Sequence, residues 1–217
     1  ATSYLTVSGG ITVNSGGTTL RNSNSSGSSV LTASGGITGT GNLALNNNSS
    51  IANGISIWTV SVNNTGTVTN SGSGSGATGI SVVIGTNVTE VVQNSATSQL
   101  TLSGVNTFTG GLTIKAGTVL GTTVSASAFG AGNITLGDTI GAANAALLVG
   151  TTGLTYANPI ILATGTTGTL TIGNSGTAIS TSFSGGITGT NNLTIKSNAT
   201  TGTMAHGASH SAFAMRT

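Results

Sequence analysis

Few side chains in this sequence can carry acid–base or metal chemistry. There are two acids, Glu90 and Asp138, and two histidines, His206 and His210. Hydrolysis or elimination at a sugar needs a carboxylate pair, or a carboxylate with a base beside it, so that one group donates a proton while the other accepts or attacks. Glu90 and Asp138 would have to meet in space to form such a pair. A serine triad would need a C-terminal histidine folded back onto Asp138, and no G-x-S-x-G elbow is present. His206 and His210 are four residues apart, a spacing that places two zinc ligands on one helix face. The stretch TMAHGASHSAFAMRT has no helical signal and no third ligand. Calcium wants several carboxylates. The reading is therefore no catalytic residue, no metal ligand and no cofactor-binding residue, and the chain is not expected to be an enzyme.

Gly74-Ser75-Gly76-Ala77-Thr78-Gly79 matches the dinucleotide fingerprint G-x-G-x-x-G. That fingerprint works only where a helix follows and its N-terminus faces the pyrophosphate. Here Ile80-Ser81-Val82-Val83-Ile84 follows, which reads as a strand, so a corner loop is expected. Trp58 is the single tryptophan. It suits a core or end-capping position better than a sugar-stacking platform, because large aromatics dominate burial.

The elements that would position these residues are short strands. Leu5-Thr6-Val7, Ile11-Thr12-Val13, Thr18-Thr19-Leu20, Val30-Leu31-Thr32 and Leu43-Ala44-Leu45 each alternate apolar and polar, the period of a half-buried strand. Glycine, serine and asparagine separate them, with no 3.6-residue rhythm. A longer strand is predicted over Ile55 to Val62, with Ile55, Ile57, Thr59 and Ser61 on one face and Trp58, Val60 and Val62 on the other. Val88 to Gln93, Phe129 to Leu136 and Ala146 to Val149 continue the pattern. Pro159 cannot donate to a ladder and should open its strand.

Composition agrees with strands and corners. Glycine supplies 36 residues, and only 3% are charged. Apolar residues make up 36% and fall in short alternating runs, unlike a disordered chain. The formal charge of +2 comes from four dispersed cations, Arg21, Lys115, Lys196 and Arg216. Nucleic acid needs clustered cations to displace counterions, so it is excluded as a partner. No run reaches the ~20 apolar residues of a membrane helix. There is no cysteine, which is compatible with export. No signal segment precedes Ala1, so export implies a longer precursor or another route.

Repetition adds a second signal. Ser34-Gly35-Gly36-Ile37-Thr38-Gly39-Thr40 recurs as Ser184-Gly185-Gly186-Ile187-Thr188-Gly189-Thr190. Each copy is followed by Asn-Leu, at Asn42-Leu43 and Asn192-Leu193. Repeats of this kind mark solenoids, in which each coil touches only its neighbours. The expected fold is all-β, a right-handed parallel β-helix over 1–203, with 204–217 an irregular tail or cap. Asparagines at inward corners should satisfy backbone groups.

The stretch LTLSGVNTFTGGLTIKAGTVL, Leu100 to Leu120, reads as one coil. It also resembles the passenger-associated repeat of bacterial autotransporters through Leu102, Ser103, Gly104, Asn106, Thr107, Phe108, Thr109, Gly110, Gly111, Thr113, Gly117 and Thr118. Val119 stands where the family more often has leucine. The resemblance implies a parallel β-helix, export, and a place on the bacterial cell surface or outside the cell. The resulting expectation is a surface stalk, adhesive element or fibre subunit. End-to-end self-association is expected, because uncapped coil ends lack guarding charges, and glycans or host and cell surfaces are candidate partners. The alternatives are an ice- or glycan-binding solenoid, or a carbohydrate-active enzyme. Thr38/Thr40, Thr67/Thr69, Thr169/Thr171 and Thr188/Thr190 form T-x-T pairs, and ice matching would need such pairs at every coil of one flat face.

Overall fold

The computed structural model describes residues 4–26, 28–198 and, for the backbone only, 204–206. The described residues contain no helix. The strands are parallel throughout and stack into a β-solenoid of about eight turns.

Each coil has three faces. Face 1 stacks Leu5–Val7, Leu31–Ala33, Ile55–Ile57, Thr78–Ile80, Leu100–Leu102, the second half of Leu112–Gly121, Ala145–Val149, Leu170–Asn174 and Leu193–Lys196. Face 3 stacks Thr18–Asn22, Leu43–Asn47, Gly66–Ser71, Val88–Asn94, the first half of Leu112–Gly121, Ile134–Leu136, Ile160–Leu162 and Ile187–Thr188. Face 2 begins as Ile11–Val13 on Ile37–Gly39, continues through single bridges at Val62 and Ile84, and resumes as Leu154–Tyr156, Thr181–Phe183 and Met204–His206.

Alternation makes the core. Ile, Leu and Val point inward at every second strand position and form one continuous cluster from Val13 to Leu193. The residue between them points out, so strands such as Leu31–Ala33, Leu100–Leu102 and Ile134–Leu136 bury their ends and leave their centre half-buried. Stacked partners lie between 19 residues apart (119 − 100) and 28 residues apart (147 − 119) in sequence. The ladder holds its register while the corners absorb the difference.

The coil that resembles the passenger repeat is the tightest. Leu100 pairs with Val119, so the stretch closes one turn on itself. Leu112–Gly121 is a single ten-residue strand that serves face 3 and then face 1. Gly117, with φ of 78°, makes the bend between them, and a side chain there would overlap the Ser95 carbonyl oxygen. Asn106 is buried; its Nδ2 donates to the Ala128 carbonyl at 2.7 Å and its Oδ1 accepts from the Ile84 amide at 2.8 Å. Phe108 is fully buried.

Three expectations are corrected. The strand predicted over Ile55 to Val62 ends at Ile57. Thr59 takes a φ of 88° and turns the chain, so Ile57 and Val62 both point inward although they are an odd number of residues apart. Trp58 is thrown outward by that turn and is exposed, not core. Pro159 lies one residue before its strand, where its carbonyl accepts from the Ile134 amide at 2.8 Å. Met204–His206 pairs with Thr181–Phe183.

Candidate functional site

The acids do not meet. Glu90 lies on face 3, and its carboxylate accepts from the Thr113 hydroxyl at 2.5 Å. Asp138 follows Leu136, two rungs further on. Register places the two roughly 10 Å apart along the axis and roughly 15 Å along the strands. Asp138 instead faces Lys115 at 3.9 Å, with both side chains partly exposed. An open pair of this kind is worth little in water. Among the described residues no three of His, Asp and Glu cluster. His206 is placed by its backbone alone, and His210 lies outside the described residues.

The glycine fingerprint is a corner, and its amides are already used. The Gly74 amide donates to the Asn47 carbonyl at 3.0 Å, and the Gly76 amide to the Ser49 carbonyl at 2.8 Å. Strand Thr78–Ile80 follows where a nucleotide site would need a helix.

Inside the coil, amides tie successive turns together. Asn22 donates to the Gly54 carbonyl at 2.5 Å and Asn47 to Gly76 at 2.8 Å. Asn158 donates to Gly132 at 2.7 Å, and Asn191 to the Ala163 carbonyl. Asn70 donates to the Gln93 Oε1 at 2.7 Å, and Gln93 donates to the Ser98 carbonyl at 2.8 Å. All but the half-buried Asn191 are buried, and these amides replace the water that corner carbonyls would otherwise need. They are structural groups and offer no reactive centre.

Tyr156 is fully buried, and its hydroxyl has no hydrogen-bond partner in the protein. Burial pushes its pKa up from 10.0 to about 12, because the phenolate would lose its hydration.

The outer surface carries two features. On face 3 one outward column reads Thr19, Ala44, Thr69, Val92, Thr113, Thr135, Ile161, Thr188 in strand register. It is a single threonine-rich row. The T-x-T pairs themselves are scattered: Thr38 on face 2, Thr67 and Thr69 on face 3, Thr171 on face 1. They build no flat two-row array.

The second feature is the corner between faces 1 and 2. Thr59, Ser61, Ser81, Val82, Val83, Ser103, Gly104 and Val105 line an open groove of about 500 Å³ across three successive coils. Trp58 precedes it in the chain, and no lining residue is ionisable. Sequence reasoning missed this surface. Its signal was the recurrence of an exposed valine at each corner, in Thr59-Val60-Ser61, Ser81-Val82-Val83 and Ser103-Gly104-Val105.

No protein-family model, curated protein or solved structure matches the chain.

Proposed function

We propose that the chain is a structural and adhesive β-solenoid of the bacterial cell surface, exported to serve as a stalk, adhesin element or fibre subunit. One observation carries the reading: the stretch resembling the passenger repeat, Leu102 to Thr118, lies in one tight coil, and three of its residues hold or bend that coil. Asn106 bridges rungs, Phe108 fills the core and Gly117 makes the bend. A chain built this way presents long faces of threonine, serine and asparagine. Contacts on them are hydrogen bonds and shape, not charge. The strands Leu5–Val7, Ile11–Val13 and Thr18–Asn22 each pair on one side only among the described residues. Such an edge is a template for a further coil or for another copy.

Protease treatment of intact source cells tests the location. Loss of the protein from intact cells, with a cytosolic control untouched, is the expected result. Protection until the cells are lysed would overturn the reading. Electron microscopy of the purified protein tests self-association: continuous fibres with a ~4.8 Å axial repeat are expected, and isolated rods at every concentration argue against a fibre subunit.

A further inference from the structure

We propose that the groove at the corner of faces 1 and 2 binds a linear, uncharged polysaccharide segment. The proposal rests on the fold and this surface, and it does not depend on where the protein resides.

The corner repeats along the axis because each coil leaves face 1 in the same way. The Ser81 amide donates back to the Ile57 carbonyl and the Ser103 amide to the Ile80 carbonyl, both at 3.0 Å. The three corners are thereby fixed one rung apart, about 4.8 Å. The first corner lends the groove Thr59 and Ser61, and the next two lend it Val82, Val83 and Val105 with Ser81 and Ser103. Val60, Val83 and Val105 are 46%, 38% and 50% exposed, and Trp58 is 53% exposed. Thr59, Ser61, Ser81 and Ser103 supply the hydroxyls.

Thr59 is the strained point. A β-branched residue with φ near +88° is a genuine outlier. The surrounding structure holds it there, and the turn it makes carries Trp58 out of the core. Trp58 itself is not among the residues that line the groove; it stands next to them in the chain, one residue before Thr59.

The chemistry of the lining selects the occupant. A pyranose ring has apolar C–H faces and a rim of hydroxyls, so it matches aliphatic, aromatic and hydroxyl groups together. With no ionisable residue in the lining, an anionic ligand finds no counter-charge there. The eight lining residues fall well short of the ~20–30 that a stable protein interface takes from each side. The volume lies within the range of small-ligand sites, ~300–1,000 Å³. Recurrence over three successive rungs suits a repeating polymer better than a compact ligand.

Trp58 is the only tryptophan, so its fluorescence reports on this corner alone. The full chain is titrated with cello-, xylo- and manno-oligosaccharides and with oligogalacturonate, followed by emission and calorimetry. A saturable emission shift with at least one neutral series, and none with the uronate, is expected. Val83→Ser keeps the reporter and should weaken binding. Trp58→Ala removes an exposed ring and leaves Ile55 and Ile57 packed, so it folds; its calorimetric affinity should fall by up to about tenfold. Three results overturn the proposal: no signal with any neutral sugar, affinity unchanged in both variants, or sugar-independent self-association that Val83→Ser abolishes. The last would make the ridge an interface between copies.

Discussion

The ring of Tyr156 lies 4.9 Å from that of Phe129, centroid to centroid, at an angle of 40°. Phe183 extends the column at 5.6 Å on the other side of Tyr156. All three rings are buried. Tyr156 and Phe183 end the face 2 strands Leu154–Tyr156 and Thr181–Phe183, Phe129 lies in a turn, and each aromatic pair adds about 0.5–1.5 kcal/mol beyond its burial. The Tyr156 hydroxyl, unpartnered, works against that gain.

Tyr156→Phe is therefore expected to stabilise the protein by about 1 kcal/mol, because it removes a buried polar atom and keeps the ring. Tyr156→Ala should cost about 3–5 kcal/mol through the cavity it leaves. Midpoints of urea unfolding measure both. A less stable Tyr156→Phe protein would mean that the hydroxyl has a bond worth keeping.

The raised pKa fixes the sign of a pH effect. Folded Tyr156 ionises near pH 12 and an unfolded tyrosine near 10. Below pH 10 both states hold the proton, and the stabilisation is fully present. Between pH 10 and 12 the unfolded state loses its proton first, so stability falls as pH rises, by about 2–3 kcal/mol in all. Tyr156→Phe should lose this part of the decline. Unfolding curves of both proteins across that window make the comparison, and parallel declines would contradict it.

Glycine substitutions should separate strain from collision. At Gly9 a methyl group meets nothing within 4 Å, and Ala is expected to be neutral or slightly stabilising. Gly141 is equally open but has a φ of +116°, so Ala should cost about 1–2 kcal/mol. Gly117 has both a φ of +78° and the Ser95 carbonyl against it, and Ala should cost more than about 3 kcal/mol. Thermal unfolding ranks the three, and an equal loss at Gly117 and Gly141 would remove the steric contribution.

Asn106→Leu should cost about 2–4 kcal/mol. It keeps the volume but leaves the Ile84 amide and the Ala128 carbonyl without their bridge. Hydrogen exchange at Ile84 should accelerate well beyond that at Leu100, whose bonds lie within the ladder. Uniform acceleration would mean that the damage is global.

Much of the ladder was legible from alternation alone, because strands such as Leu31–Ala33 and Leu100–Leu102 bury every second residue. The buried corner amides also followed from composition, since inward asparagine is the cheapest way to satisfy a carbonyl away from water. Ile55 to Val62 misled because the alternation is real, while a single left-handed residue, Thr59, reverses its sense halfway. The aromatic column was present as an equal spacing of Phe129, Tyr156 and Phe183 that local pattern reading does not test. The groove escaped because its valines and hydroxyls come from three separate corners, which only the stacking of the coils brings side by side.

The two copies of SGGITGT share their backbone but not their address. Gly36 and Gly186 have φ of 86° and 80°, and Gly39 and Gly189 have 110° and 120°. Yet Ile37 lies on face 2 with Leu43 on face 3, whereas Ile187 lies on face 3 with Leu193 on face 1. The same words thus work one side further round the prism. The heritable unit of this architecture is then smaller than a full turn: a strand with its corner can be copied and inserted elsewhere, and the lattice accepts it wherever the inward residue lands on an apolar column. Lineages building such chains can lengthen them in fractions of a turn.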